Sequence, residues 1–209
     1  MASSKKVVRK RLAKNIKTSL KILIVCEGPT ESTYIEDLLG DIPNIEIVSI
    51  DGAGYGKFKN YIESNEKLYK VFLVVEDLDK AQPDSQTRKT SNGYHLLNGL
   101  ITYLHKLNNQ NTIFLSNPDI EYWIACLIGQ ESYTEADLVS IGYRKGDSVN
   151  TFLKAHNGNF DTAVELANSD KVYYRKPKPG VNYTLQRDYL ELRQSNLTEL
   201  LVYIQMLNQ

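Results

Sequence analysis

The feature that most constrains this chain is an alternation of short apolar runs with stretches of helical spacing. Ile22-Leu23-Ile24-Val25-Cys26 is continuously apolar and closes on Gly28-Pro29. Ile45–Ile50 is a second run, Val71-Phe72-Leu73-Val74-Val75 the strongest, and Thr112-Ile113-Phe114-Leu115 the fourth. Runs of this length, rich in β-branched residues and bounded by turn formers, predict strands buried on both faces. Between them, Thr30–Leu39 (with Thr30 as N-cap), Phe58–Tyr69 and Tyr94–Leu107 carry apolar residues at helical spacing. Gly52–Gly56 and the polar residues 80–92 read as loops.

The order β-α-β-α-β-α-β predicts an α/β fold, a mostly parallel four-stranded sheet of the Rossmann-like kind flanked by helices. Past Asn117-Pro118 the pattern turns mainly helical, including Asn159–Ala167 and Tyr189–Leu207, with the loop Tyr173–Gly180 between them. The chain therefore divides into an arm (1–20), an α/β domain (21–130) and a mainly helical C-terminal extension (131–209) packed on the same domain. Hydrophobic residues at 42% and charged residues at 24% suit a globular protein. No apolar run is long enough to span a bilayer, which excludes an integral helical membrane protein. Cys26 and Cys126 both sit in apolar stretches. They read as buried free thiols of a reducing, cytoplasmic protein, not as a disulfide scaffold. The scattered cysteines and histidines form no zinc-finger pattern.

A net charge of zero conceals an asymmetry. Residues 1–21 hold eight bases and no acid, leaving 17 bases against 25 acids in the rest. Within the arm, Lys6, Arg9, Lys10 and Arg11 are candidate phosphate contacts. A solvated, frayed terminus or a basic targeting segment would look the same. In the loop, Arg175, Lys176 and Lys178 beside Tyr173 and Tyr174 mix rings with bases as single-strand binders do, and equally suit an exposed loop.

Ligands of parallel sheets bind at the carboxyl ends of the strands. The first strand delivers Glu27, with Glu31 close behind; the third delivers Glu76, Asp77 and Asp79; the fourth delivers Asp119, with Glu121 after it. Carboxylates gathered at one edge repel unless cations neutralise them, and hard oxygen donors suit Mg²⁺ or Mn²⁺. Asp77 and Asp79, two apart at a strand end, are expected to project to one side, with Glu27 as a further ligand or proton-transfer group. Taken alone, an Asp-x-Asp pair also occurs in surface turns, and Glu27 could simply charge the start of a helix. Gly52–Lys57 lacks the Lys-Ser/Thr ending of a phosphate loop. His95, His105, His156 and Trp123 read as packing or surface residues.

Three segments, Ile22–Glu31 (ILIVCEGPTE), Val74–Asp79 (VVEDLD) and Ser116–Trp123 (SNPDIEYW), resemble the Toprim domain shared by topoisomerases, primases and OLD-type nucleases. More narrowly they resemble the RloB-like family of bacterial defence proteins, through the basic arm and Asn-Pro-x-x-Glu-x-Trp. The resemblance implies a Toprim-like catalytic domain in which Glu27 is a metal ligand or general acid/base and Asp77 and Asp79 hold divalent metal. It places Glu31 and Glu121 in the same cluster. It also implies Mg²⁺-dependent cleavage of DNA or RNA in phage defence or abortive infection, with an ABC-type ATPase as partner. The chain departs from the family in having only Pro29 between Gly28 and Thr30, no histidine near Leu127, and Glu76 where an aromatic residue is usual. A non-catalytic Toprim-like module that binds metal, nucleic acid or a regulator is the alternative. A topoisomerase would need a tyrosine nucleophile from another domain, and a primase would need nucleotide sites absent from the motifs.

If the arm grips phosphates, deleting Lys5–Lys21 weakens nucleic-acid binding and flattens its dependence on salt. Binding titrations at several salt concentrations check this; an unchanged slope leaves the arm without a phosphate role.

Overall fold

The computed structural model describes residues 21–40, 42–52, 54–83, 91–167, 180, 185, 190 and 192–208. The arm bases Lys6, Arg9, Lys10 and Arg11 and the loop bases Arg175, Lys176 and Lys178 lie outside the described residues.

The sheet contains β1 (Ile22–Cys26), β2 (Ile45–Ser49), β3 (Val71–Asp77), β4 (Thr112–Asn117) and β5 (Gln194–Ser195), in the order β2-β1-β3-β4-β5. The first four strands are parallel, with Cys26 opposite Ser49 on one side and Val75 on the other. The helices are α1 (Pro29–Leu39), α2 (Tyr55–Asn65), α3 (Asn92–Leu107), α4 (Ile120–Leu127), α5 (Glu135–Ser140), α6 (Val149–Ala155), α7 (Phe160–Leu166) and α8 (Leu200–Leu207). No helix among the described residues is long and apolar enough to cross a membrane.

The continuous apolar runs have a direct structural cause. Successive strand residues point to opposite faces, so a strand covered on both sides needs apolar residues at every position. Ile22, Ile24 and Cys26 of β1, with Val71, Leu73 and Val75 of β3, enter one core against Tyr34 and Ile35 of α1 and the whole of α4. Leu23 and Val25, with Phe72 and Val74, enter the other core against Tyr55, Phe58 and Ile62 of α2 and Leu97, Leu100, Ile101 and Leu104 of α3. Right-handed crossovers require this split. The chain steps from β1 to β2 in one direction and from β2 through β3 to β4 in the other, so α1 and the pair α2/α3 cover opposite faces. The direction of travel reverses between β1 and β3, the position beyond which sheets of this topology bind their ligands.

Two sequence expectations are corrected. The sheet has a fifth strand: β5 pairs antiparallel with β4 through Ser116–Ser195 and Asn117–Gln194. The side chain of Asn196 then accepts a hydrogen bond from the Leu115 N–H at 2.6 Å. The helix expected over Tyr189–Leu207 is therefore broken. A tight turn at Leu197–Glu199 follows β5, and helix begins only at Leu200. A two-residue polar strand has no periodicity to read; it exists because the open edge of β4 supplies its partners. Trp123 lies fully in the core, edge-on to Tyr34 at 6.3 Å and Phe160 at 5.8 Å between ring centroids. The two cysteines are free and buried.

The turn after β3 is clamped by the start of α3. Ser91 caps α3 by accepting from Tyr94 N–H and donates to the Ala81 carbonyl at 3.0 Å. At Gly93 a Cβ would stand 1.9 Å from the Lys80 carbonyl oxygen. Inside a helix Gly→Ala ordinarily stabilises by about 0.5–1 kcal/mol. At Gly93 the sign reverses: Gly93→Ala must push α3 off the turn and costs about 1–3 kcal/mol, measurable by denaturant unfolding. A neutral or stabilised variant would contradict this packing.

Candidate active site

The acidic residues meet at the carboxyl ends of β1, β3 and β4. Gly28 caps α1, not Thr30 as the spacing suggested, and its N–H donates to Glu31 Oε2 at 3.0 Å. Pro29 at the first helical position lacks an N–H that would have had no partner there. The capping contact folds the Glu31 carboxylate back toward the strand end and buries it, leaving it 4% exposed. On the far side, Asp119 caps α4, accepting from the Tyr122 N–H at 3.1 Å, and this places Glu121 in the first turn. Glu121 is 1% exposed; its Oε1 accepts from the Tyr143 hydroxyl at 3.1 Å, and its buried Oε2 has no hydrogen-bond partner.

Asp77 ends β3 between these two glutamates. Its carboxyl is held well above the usual range by burial first, then by the negative fields of Glu31, Glu121, Asp119 and Asp79. Burial raises Glu31 as well, with repulsion from Glu121 adding to it. Glu121 is raised by burial against the pull of Lys145. Three segments distant in sequence therefore bring Glu31, Asp119 and Glu121 to bear on Asp77.

Glu76, one residue earlier, points through the sheet into the opposite core. It is 1% exposed and neither carboxylate oxygen has a hydrogen-bond partner. Burial, then Asp77, Glu31 and Asp79, push its pKa well above the ordinary value. The Tyr55 hydroxyl, on α2 below it, donates to the Asp77 carbonyl at 2.8 Å and secures the strand end.

The pair Asp77 and Asp79 does not follow strand alternation. β3 ends at Asp77, Leu78 turns into the core, and Asp79 opens a short 3₁₀ turn, Asp79–Ala81. Asp79 is exposed and its Oδ1 accepts from the Lys80 N–H at 2.6 Å. The turn, not the pleat, thus keeps Asp79 near Asp77. The same turn carries Lys80, whose ammonium forms an ion pair with Glu27 Oε1. Glu27 follows β1, its N–H bonded to the Val75 carbonyl at 3.3 Å, and its Oε2 is buried without a hydrogen-bond partner.

Three contributors had no signal in the sequence. Lys80 lay in a presumed polar loop. Tyr143 and Lys145 belong to the connection between α5 and α6, remote from every strand end in sequence. Lys145 Nζ stands 3.6 Å from Glu121 Oε1 and 4.0 Å from Glu135 Oε1. Burial pulls its pKa down, but Glu121, Glu135, Asp77 and Glu31 outweigh that and hold it above the usual lysine value. The histidines are peripheral. His156 contacts the Ile141 carbonyl at 3.1 Å, and burial lowers the His105 pKa.

Carboxylate oxygens are the kind of donor that suits a hard divalent cation. Glu27 and Glu121 each present a buried, unpartnered oxygen, and burial of mutually repelling carboxylates is costly without positive charge. Among the described residues, no three His, Cys, Asp or Glu side chains stand in a ready metal-ligating arrangement. Comparison with family models, with curated proteins and with solved structures found no match to this chain. What the geometry defines is a class: an α/β protein whose mostly parallel sheet carries a buried carboxylate cluster at its switch point.

The sign of the pH response follows from the raised carboxyls. Between the ordinary carboxyl range and the raised folded values, the folded protein binds more protons than the unfolded chain. Stability contributed by this cluster is therefore greatest at low pH and is lost as pH rises through that window. Asp77→Asn removes the repulsion at neutral pH and raises stability there. Thermal unfolding of both proteins at about pH 5 and about pH 8 checks this, with the variant's advantage confined to the higher pH.

Proposed function

We propose that this chain is a Toprim-type, divalent-metal-dependent nuclease acting on DNA or RNA. The observation that carries the reading is the burial of Glu31 and Glu121 beside the half-buried Asp77, on which both act, at the sheet switch point, with Glu27 and Asp79 at its edge. Such a cluster is destabilising in a folded protein unless a ligand makes use of it. Asp77, Glu31 and Glu121 would hold Mg²⁺ or Mn²⁺, with Glu27 and Asp79 completing the set. When bound, the cation would supply polarisation of a phosphoryl oxygen, an activated water and charge relief for the leaving oxygen.

The chain's own residues have distinct tasks. Glu27, partly exposed with one oxygen on Lys80, is placed to hold or move a proton at the edge of the cluster. Tyr143 fixes the Glu121 carboxylate through Oε1 and leaves Oε2 as the free donor. Tyr55 holds the Asp77 backbone and so sets the reach of that carboxylate. The bases of the arm and of the loop 173–180 would take the flanking phosphates. The RloB-like resemblance adds a role in phage defence or abortive infection, with an ABC-type ATPase as partner and a cytoplasmic setting. One feature of the site favours a second reading. Lys80 and Lys145 already place positive charge on Glu27 and Glu121, as a non-catalytic regulatory module without metal would require.

Incubating the purified protein with DNA and RNA, with Mg²⁺ or Mn²⁺, separates the two. The nuclease cleaves, and Glu27→Gln and Asp77→Ala reduce cleavage by about 100-fold or more. Equal inactivity of all three proteins across these substrates would leave the module.

A further inference from the structure

We propose that Lys145 is the resident counter-ion of the carboxylate cluster, a positioning residue that yields to an incoming divalent cation and then turns to the substrate's phosphate. The inference rests on the reading above that the cluster takes such a cation, and it adds how the site changes between its metal-free and loaded states.

Four observations carry it. Glu121 is 1% exposed, whereas the Lys145 side chain is 60% exposed, so the ammonium reaches a buried carboxylate from the solvent side. It can withdraw without any core side chain moving. Its hold is loose, at 3.6 Å from Glu121 and 4.0 Å from Glu135. The Tyr143 hydroxyl bonds the same Glu121 oxygen at 3.1 Å, so Oε1 keeps a partner after the lysine leaves, and Oε2 is free to ligate.

The backbone on both sides of Lys145 is pinned. Tyr143 is buried, and the Gly146 N–H donates to the Thr30 hydroxyl at 3.3 Å, at the start of the helix that carries Glu31. Beyond it, the Ser148 hydroxyl and the Asn150 N–H both donate to Asp37 Oδ2 at 3.3 Å. With its anchors fixed, only the four-carbon stem of Lys145 is left to swing, and that stem is flexible.

The electrostatic sequence follows. The Lys145 ammonium faces Glu31, Asp77 and Glu121, with Arg193 also acting on Asp119, and one charge neutralises those acids only in part. A doubly charged ion satisfies the cluster better and repels the ammonium, which is then available to a phosphate on the solvent side of the cluster. Cation binding and nucleic-acid binding therefore favour one another, and linkage makes the coupling reciprocal.

The test compares the full-length wild type with Lys145→Gln and Lys145→Arg. Mn²⁺ alone is titrated by electron paramagnetic resonance, without nucleic acid. Lys145→Gln should bind Mn²⁺ about tenfold more tightly, while Lys145→Arg, which keeps the charge, should stay near wild type. In a second measurement, Ca²⁺ should strengthen oligonucleotide binding by the wild type and do so less in Lys145→Gln. Unchanged or weaker Mn²⁺ binding by Lys145→Gln overturns the proposal whatever the cleavage assay shows. Tighter Mn²⁺ binding by a variant whose parent cleaves nothing supports the lysine's role and removes the nuclease reading. Absence of Mn²⁺ binding in every protein overturns both.

Discussion

Mutual repulsion among carboxylates that the fold drives together is the constraint around which this molecule is organised. Glu31, Asp77, Asp119 and Glu121 come from α1, the end of β3 and the start of α4, and burial raises all four above their ordinary pKa values. Their surroundings temper the repulsion without removing it. Backbone N–H groups at helix starts bond Glu31 and Asp119, Tyr143 bonds Glu121, and Lys145 leans in from solvent. A protein interior retains such an arrangement at a cost in stability, and sites of function are where that cost is usually met.

The scaffold makes the arrangement rigid. Covering the sheet on both faces forces apolar residues along every buried strand, so polar groups can appear only where a strand stops. The reversal of direction between β1 and β3 then sets the two richest strand ends side by side. Around them, small details control position to fractions of an ångström. Gly28 lets Glu31 fold back onto its own helix start, where an added Cβ would meet Glu31 Oε2 at 3.0 Å. Gly93 lets α3 lie against the turn that presents Asp79 and Lys80. Glu76 stands apart on the other face, buried and unpartnered, and the charge of Asp77 adds to burial in raising its pKa.

Much of this was legible from residue order. The four parallel strands fall where the apolar runs lie, and the acids that follow Cys26, Val75 and Ser116 do line the strand ends. The limits were equally physical. Strand alternation suggested that Asp77 and Asp79 share a side, but β3 ends at Asp77 and a 3₁₀ turn takes over. Thr30 looked like the cap of α1, yet Gly28 serves because Glu31 supplies the side-chain oxygen. β5 escaped notice because two polar residues carry no period, and their strand geometry comes from β4.

Sequence alone determined the α/β architecture, since the period of apolar residues is a local property that each element writes into its own segment. It also determined which acids could reach the strand ends, because chain order and parallel pairing leave no other place for them. Only the tertiary structure decided how those acids are neutralised. Tyr143 and Lys145 reach Glu121 from a connection about twenty residues away, and Lys80 reaches Glu27 across 53 residues of chain. Long-range ion pairs and hydrogen bonds leave no periodic trace, because they depend on where separate segments come to rest and not on the pattern within any one of them.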